Sequence, residues 1–226
     1  MDVLITAGGT QEPIDDVRFI TNLSTGRLGA HLANWLCQHR DVQVTLLSGP
    51  ALSAKPHWVD ASVSLVPFTS TVDLQGKLQE QIRVRKPQLV FMAAAVADYS
   101  PIPVQGKRPS GAEQWTLTMR RNEKLLDQLR CWCGADTVLC GFKLMSSASE
   151  PELIDTARAQ IARAELDLCV ANDLQYIVDG AHPVWLVSAQ GEPEHVAGTK
   201  AASAARIGQL GLDLVSRRIS NSKKRS

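Results

Sequence analysis

The residues Val3-Leu4-Ile5-Thr6-Ala7-Gly8-Gly9-Thr10 form an apolar run that ends in paired glycines. A buried strand ending this way brings bare backbone N–H groups to the carboxyl edge of a sheet. Farther on, Ser24-Thr25-Gly26 opens a helix that continues through Gly29. Its N-terminal amides and positive dipole end favour an anion. Two such elements within thirty residues suggest a nucleotide or a phosphorylated substrate. A tight turn followed by an ordinary cap at Ser24 is the competing reading, and the residues alone leave both open.

Six other positions could add chemistry. Ala94 and Ala95 leave room for a ligand against backbone, and Asp98 is placed to accept from a ribose or amine or to help hold magnesium. A plain turn aspartate would look the same. Lys107, flanked by Gly106 and Arg108, could close over a polyphosphate, although position alone favours a solvated loop lysine. Phe142, in Gly141-Phe142-Lys143-Leu144, offers a stacking face for a base, or is core. Asn172, in Ala171-Asn172-Asp173, can donate and accept as base or ribose recognition requires, or can cap the strand as a turn residue.

The elements that must hold these residues follow a β-α-β-α rhythm. Apolar runs at 3–6, 42–47, 89–94, 137–140 and 168–171 read as buried parallel strands, with a weaker strand at 63–67. Helices are expected at 27–39, 71–85, 122–131 and 151–165. The order predicts an α/β, doubly wound, mostly parallel Rossmann-like sheet whose ligands bind at the strands' carboxyl ends. Residues 1–216 read as one domain. Within it, 100–114 are too rich in Pro and Gly for regular structure and read as a mobile flap that returns through a short strand at Trp115–Met119. Residues 176–198, around a Gln190-Gly191 turn, read as a hairpin on the far sheet edge and a candidate dimerisation element. The basic stretch 217–226 reads as a frayed, solubilising tail.

Several functions lose support. A net charge of +1 over 226 residues gives no electrostatic case for nucleic acid. No apolar run approaches the ~20 residues of a membrane span, and Met1 directly before the first strand leaves no room for a signal peptide. The five cysteines read as reduced thiols of a cytoplasmic protein, with no zinc spacing. The first strand lacks G-x-G-x-x-G, and the second ends Ser48-Gly49-Pro50 without a ribose-binding acid. A nicotinamide oxidoreductase therefore fits the fold but not the chemistry.

Taken together, Thr6–Thr10, Val17–Gly26, Ala94–Tyr99, Gly141–Leu144 and Val170–Asp173 resemble the phosphopantothenoylcysteine synthetases (phosphopantothenate–cysteine ligases), over about residues 3–175. The free-standing bacterial form is the better match, because the chain begins at the synthetase's first strand; no flavin is implied. The resemblance implies a two-step ligation. The carboxylate of 4′-phosphopantothenate attacks the α-phosphate of a nucleoside triphosphate, CTP favoured and ATP the alternative, with Mg²⁺. The cysteine amine then displaces the nucleotide. It also implies nucleotide contacts at Gly8, Ser24, Gly26, Gly29, Ala94, Ala95, Asp98, Phe142 and Asn172. Lys107 is assigned to triphosphate binding and the first step, and Asn22 to the substrate or acyl-intermediate carbonyl. Arg18 would reach the phosphopantothenate phosphate of a neighbouring subunit, making the unit a homodimer. Metal ligands are not assigned. The family's paired lysines on the helix before the Ala-Asn strand are missing, which leaves Arg158 or Arg163 as candidate substitutes. The missing pair also leaves a non-catalytic binding paralogue as the rival reading.

Overall fold

The computed structural model describes residues 1–178, 180–189 and 191–223. In chain order the strands are β1 (Asp2–Ala7), β2 (Gln11–Pro13), β3 (Phe19–Thr21), β4 (Gln43–Ser48), β5 (Ser64–Pro67), β6 (Leu89–Met92), β7 (Tyr99–Pro101), β8 (Met119–Arg121), β9 (Val138–Met145), β10 (Leu168–Asp173), β11 (Val184–Ser188) and β12 (Glu194–Val196). The helices are α1 (Arg27–Leu36), α2 (Pro50–Ser53), α3 (Thr71–Arg85), α4 (Leu125–Cys133), α5 (Glu150–Ala164) and α6 (Lys200–Lys223).

Eight strands form one sheet in the order β12-β11-β10-β9-β6-β1-β4-β5. The six from β5 to β10 are parallel, and β11 and β12 add an antiparallel edge hairpin. The strands are apolar on both faces because helices cover both. Val3, Ile5, Leu89, Phe91, Val138, Val170, Val184 and Leu186 pack on the α1/α6 side. Leu4, Val90, Leu139, Cys169 and Val187 pack under α3, α4 and α5. Helix α1 buries Gly29, Ala30, Leu32, Ala33 and Leu36, one stripe at helical spacing. A capping box between Ser149 and Glu152 starts α5, and the Ser70 hydroxyl accepts from the Asp73 amide at the start of α3. No helix among the described residues is long and apolar enough to cross a membrane.

Several expectations shift. The β9 ladder does not stop at Cys140 but stays paired with β10 through Met145 opposite Asp173, so Phe142 and Asn172 lie inside strands rather than after them. The strand expected at Trp115–Met119 forms instead at β8, paired with β7, and the helix expected from 122 begins at Leu125. The stretch 217–223 is not a frayed tail. It is the end of α6, where Arg218 is ion-paired with Asp167 and donates to the carbonyls of Thr137 and Ala135. Residues 224–226 and Gln190 of the expected hairpin turn lie outside the described residues.

Candidate functional site

The order β5-β4-β1-β6-β9-β10 reverses direction between β1 and β6, the switch point where doubly wound sheets open a crevice at their carboxyl ends. The loops leaving those two strands clasp each other. The Ala95 amide donates to the Gly8 carbonyl at 2.9 Å, and the Thr10 amide donates to the Ala95 carbonyl at 3.2 Å. The Ala94 amide donates to the Thr6 hydroxyl at 3.1 Å. The Asn22 side-chain amide also reaches the Ala95 carbonyl, at 3.1 Å. Gly8, Ala94, Ala95 and Asn22 are thus brought into one backbone-lined corner.

Helix α1 starts against the same corner. Gly26 is its N-cap with φ 73°, and a Cβ there would come within 3.0 Å of the Gly8 nitrogen. A Cβ on Gly29 would lie 2.3 Å from the Ala7 Cβ, so only glycine lets α1 approach β1 this closely. Ser24 is not the cap; its own amide donates to the Asn22 carbonyl at 2.8 Å. No side chain caps α1, and its first internal bond runs from Ala30 to Gly26. The amides of Leu28 and Gly29 precede that bond and make no hydrogen bond among the described residues, an arrangement that favours a phosphate.

On the other side of the crevice, Phe142 packs against the α1/α6 core layer, and Asn172 is 9% exposed on that same face, two residues after Val170. The capping role falls to its neighbour Asp173, whose carboxylate accepts from the amides of Ser147, Ala148 and Gln175. Burial alone would raise the Asp173 pKa, but these three amides outweigh it and hold the group below its ordinary range. The Asn172 amide makes no hydrogen bond among the described residues and stays available to a ligand.

Asp98 is exposed and ion-paired with Lys124, a residue sequence reasoning passed over because it sits alone before α4. Lys107 is exposed and makes no hydrogen bond among the described residues. The flap around it is tied down rather than loose. The Gly106 amide donates to Asp16, the Arg108 amide to Asp15, and the Val104 amide to the Ile14 carbonyl.

Arg18 is held in the same network. Its guanidinium pairs with Asp15, donates to the Arg108 carbonyl at 2.8 Å and lies 4.4 Å from the Trp115 ring centre. The Arg18 guanidinium, above all, drives the Asp15 carboxyl far below the usual range. Asp15, Trp115 and the buried Glu12 are functional-scaffold residues with no sequence motif to announce them. Glu12 accepts from the Thr71 amide and hydroxyl and from Ser100, joining the β2–β3 hairpin to α3 and β7. Burial works to raise its pKa, and the hydroxyl donors more than offset it. Neither candidate substitute on α5 reaches the crevice as a paired ligand would require. Arg163 is bonded to Asp127 near the opposite sheet edge, and Arg158 faces outward at mid-helix.

Residues 1–212 match the family described as the DNA/pantothenate metabolism flavoprotein C-terminal domain. The chain belongs to that family. Among curated relatives, it is 32% identical over 208 residues to the coenzyme A biosynthesis bifunctional protein CoaBC of Methanocaldococcus jannaschii, covering 91% of this chain and 49% of that protein. It is 34% identical over 176 residues to the CoaBC of Bacillus subtilis, covering 76% of this chain and 40% of that one. The chain thus spans about half the length of these relatives. The DNA/pantothenate metabolism flavoprotein of Streptococcus pneumoniae superposes with TM-score 0.81 at 28% identity, covering 96% of this chain and 99% of that one. A Cab2 variant in complex with phosphopantothenate-cysteine shares the fold at TM-score 0.76 and 20% identity. The resemblance carried by the five motifs is therefore borne out as family membership, and the Rossmann-like fold with it.

Proposed function

We propose that the chain is a phosphopantothenate–cysteine ligase. The observation that carries this reading is the uncapped start of α1, set by Gly26 against the Gly8 loop and facing the unbonded Asn172 amide across the crevice. Such a crevice suits a nucleotide, with phosphate at the open amides and the base near Phe142 and Asn172. Ser24, Gly29, Ala94, Ala95 and Asp98 complete its lining. The carboxylate of 4′-phosphopantothenate forms a bond to the α-phosphorus as the bond to the β-phosphate oxygen breaks, and pyrophosphate leaves. The amine of cysteine then attacks the acyl carbon and the nucleoside monophosphate departs. Bringing two anions together requires fixed positive potential, which the α1 amides and Lys107 supply. Asn22 presents its amide where the acyl carbonyl would sit. CTP is the favoured nucleotide. Mg²⁺ would accompany the nucleotide and offset part of its phosphate charge.

The active unit is a homodimer. Supporting this, Val17, Phe19, Leu23, Ile102 and Trp115 expose apolar surface on the hairpin and flap, with Leu23 fully exposed. Arg18 lies in that patch, where it could reach a partner's phosphopantothenate phosphate. The five free cysteines, two of them fully buried with thiol pKa values raised by burial, support a reducing, cytoplasmic setting. The test is incubation with 4′-phosphopantothenate, CTP, Mg²⁺ and cysteine, followed by mass spectrometry. The account expects 4′-phosphopantothenoylcysteine; nucleotide bound but unconsumed would assign the chain to a binding role instead.

A further inference from the structure

Helices α1 and α6 pack side by side and both begin at the carboxyl edge of the sheet. Gly208 of α6 rests on Trp35 and Leu32, while Lys200 at the start of α6 comes beside Arg27 and His31 at the start of α1. Neither helix has an acidic residue in its first turn. Among the described residues, neither Arg27 nor Lys200 belongs to an ion pair. The Arg27 guanidinium is held over the Trp58 ring, 5.3 Å from its centre, beside a pocket of about 160 Å³ lined by Arg27, Ala30, His31 and Trp58.

A second, independent observation points the same way. His182 is 7% exposed, and both of its ring nitrogens lack a hydrogen-bond partner. Its backbone is fixed against the first turn of α6, with its amide donating to the Gly198 carbonyl and its carbonyl accepting from the Ser203 hydroxyl, both at 2.7 Å. Burial, and then the Lys200 charge, lower its pKa to about 4. Burial and Arg27 likewise lower that of Lys200. A half-buried lysine, a solvent-exposed arginine and two histidines gather at these two helix starts with no carboxylate paired to them among the described residues, and the buried His182 ring has no hydrogen-bond partner there. Unanswered positive charge beside an unpartnered buried imidazole suits an anion.

We propose that Lys200 and Arg27, backed by His182, form the seat for the β- and γ-phosphates of the bound nucleoside triphosphate. The site adjoins the open α1 amides, so the phosphate chain leaves the helix start and runs between α1 and α6. The inference rests on the nucleotide reading above and extends it to cations outside the five motifs.

The test is calorimetric titration of the full chain with CTP, ATP and CMP in the presence of Mg²⁺. It compares the native protein with Lys200→Met, Arg27→Met and Lys200→Arg, and with Arg83→Met on α3 as the control. Lys200→Met and Arg27→Met are expected to weaken triphosphate binding tenfold or more and CMP binding less than twofold. Lys200→Arg should recover most of the loss, and the control should bind like the native chain. Native-like triphosphate binding by both methionine variants, while the native chain binds nucleotide, would overturn the seat alone. An equal loss of CMP and CTP would overturn it as well. A native chain that binds no nucleotide would overturn the nucleotide reading and the seat together. If Lys200→Met fails to fold, Arg27→Met carries the test.

Discussion

Helix α6 delivers a cation to each edge of the sheet, and the two ends meet opposite surroundings. At the amino edge, Arg218 and Arg130 converge on Asp167, and the rest of their donors reach the carbonyls of Gly134, Ala135, Thr137 and Glu165. Asp167 also accepts from the Leu139 amide at 2.8 Å. These three charges are answered from within the chain, so the Asp167 cluster belongs to the fold. At the carboxyl edge, Lys200 and Arg27 stand near histidines and the α1 start and pair with no carboxylate among the described residues. Lys200 is half-buried and Arg27 is exposed, and cations left without internal partners suit a ligand that supplies the missing charge. The contrast separates residues that hold the sheet together from those to which we assign the nucleotide's phosphates.

The largest effect that would sharpen this contrast is Lys107→Gln, which should cut pyrophosphate release by roughly 10²–10³-fold while leaving the melting curve unchanged. Full turnover would remove Lys107 from the first step. Asn22→Asp should follow at about 10²-fold, because it replaces an amide donor with a negative charge where the proposed reaction would bring a carbonyl and phosphates. Acyl nucleotide, sampled by rapid quench, is the readout. Gly29→Val should weaken nucleotide binding strongly, since its Cβ cannot coexist with Ala7 unless α1 retreats. An unaltered affinity would show that the α1 start does not contact the nucleotide. At the opposite edge, Asp167→Ala should destabilise the fold by about 2 kcal/mol while sparing turnover per folded molecule. Calorimetry beside activity checks this, and a selective loss of turnover would break the comparison.

The smallest effect is in pH. His182 has a folded pKa of about 4 against an ordinary 6.5. The unfolded chain therefore binds the extra proton first. The contribution of the neutral imidazole is complete above pH 6.5 and declines as pH falls toward 4. His182→Asn should flatten the loss of melting temperature across that window relative to the native chain.

Much of this could be read from the chain. The parallel strands, the span of α3, the edge hairpin, the Gly8 and Ala94–Ala95 corner and Asn172 on the opposite side of the crevice follow from apolar runs that end in small or polar residues. Helix α6 did not, and two glycines, Gly208 and Gly211, lie within it. In the structure they let the helix lie directly on Trp35 and Phe91, where a Cβ would come within 2.6 Å of the Phe91 ring. The Arg18–Asp15–Trp115 cluster was also hidden, since it joins a turn to a flap about ninety residues away through side chains that follow no local period. Motifs record the backbone that must approach the ligand. Charges gathered from distant segments, such as Arg27, His182 and Lys200, become visible only once the fold brings them together.

The central claim is that this crevice activates a carboxylate with a nucleotide and hands it to cysteine. Its most direct test is pyrophosphate release with 4′-phosphopantothenate and Mg²⁺, with CTP or ATP supplied in turn, with and without cysteine. The account predicts sustained, cysteine-dependent turnover, faster with CTP. No release with either nucleotide from the folded protein would contradict it.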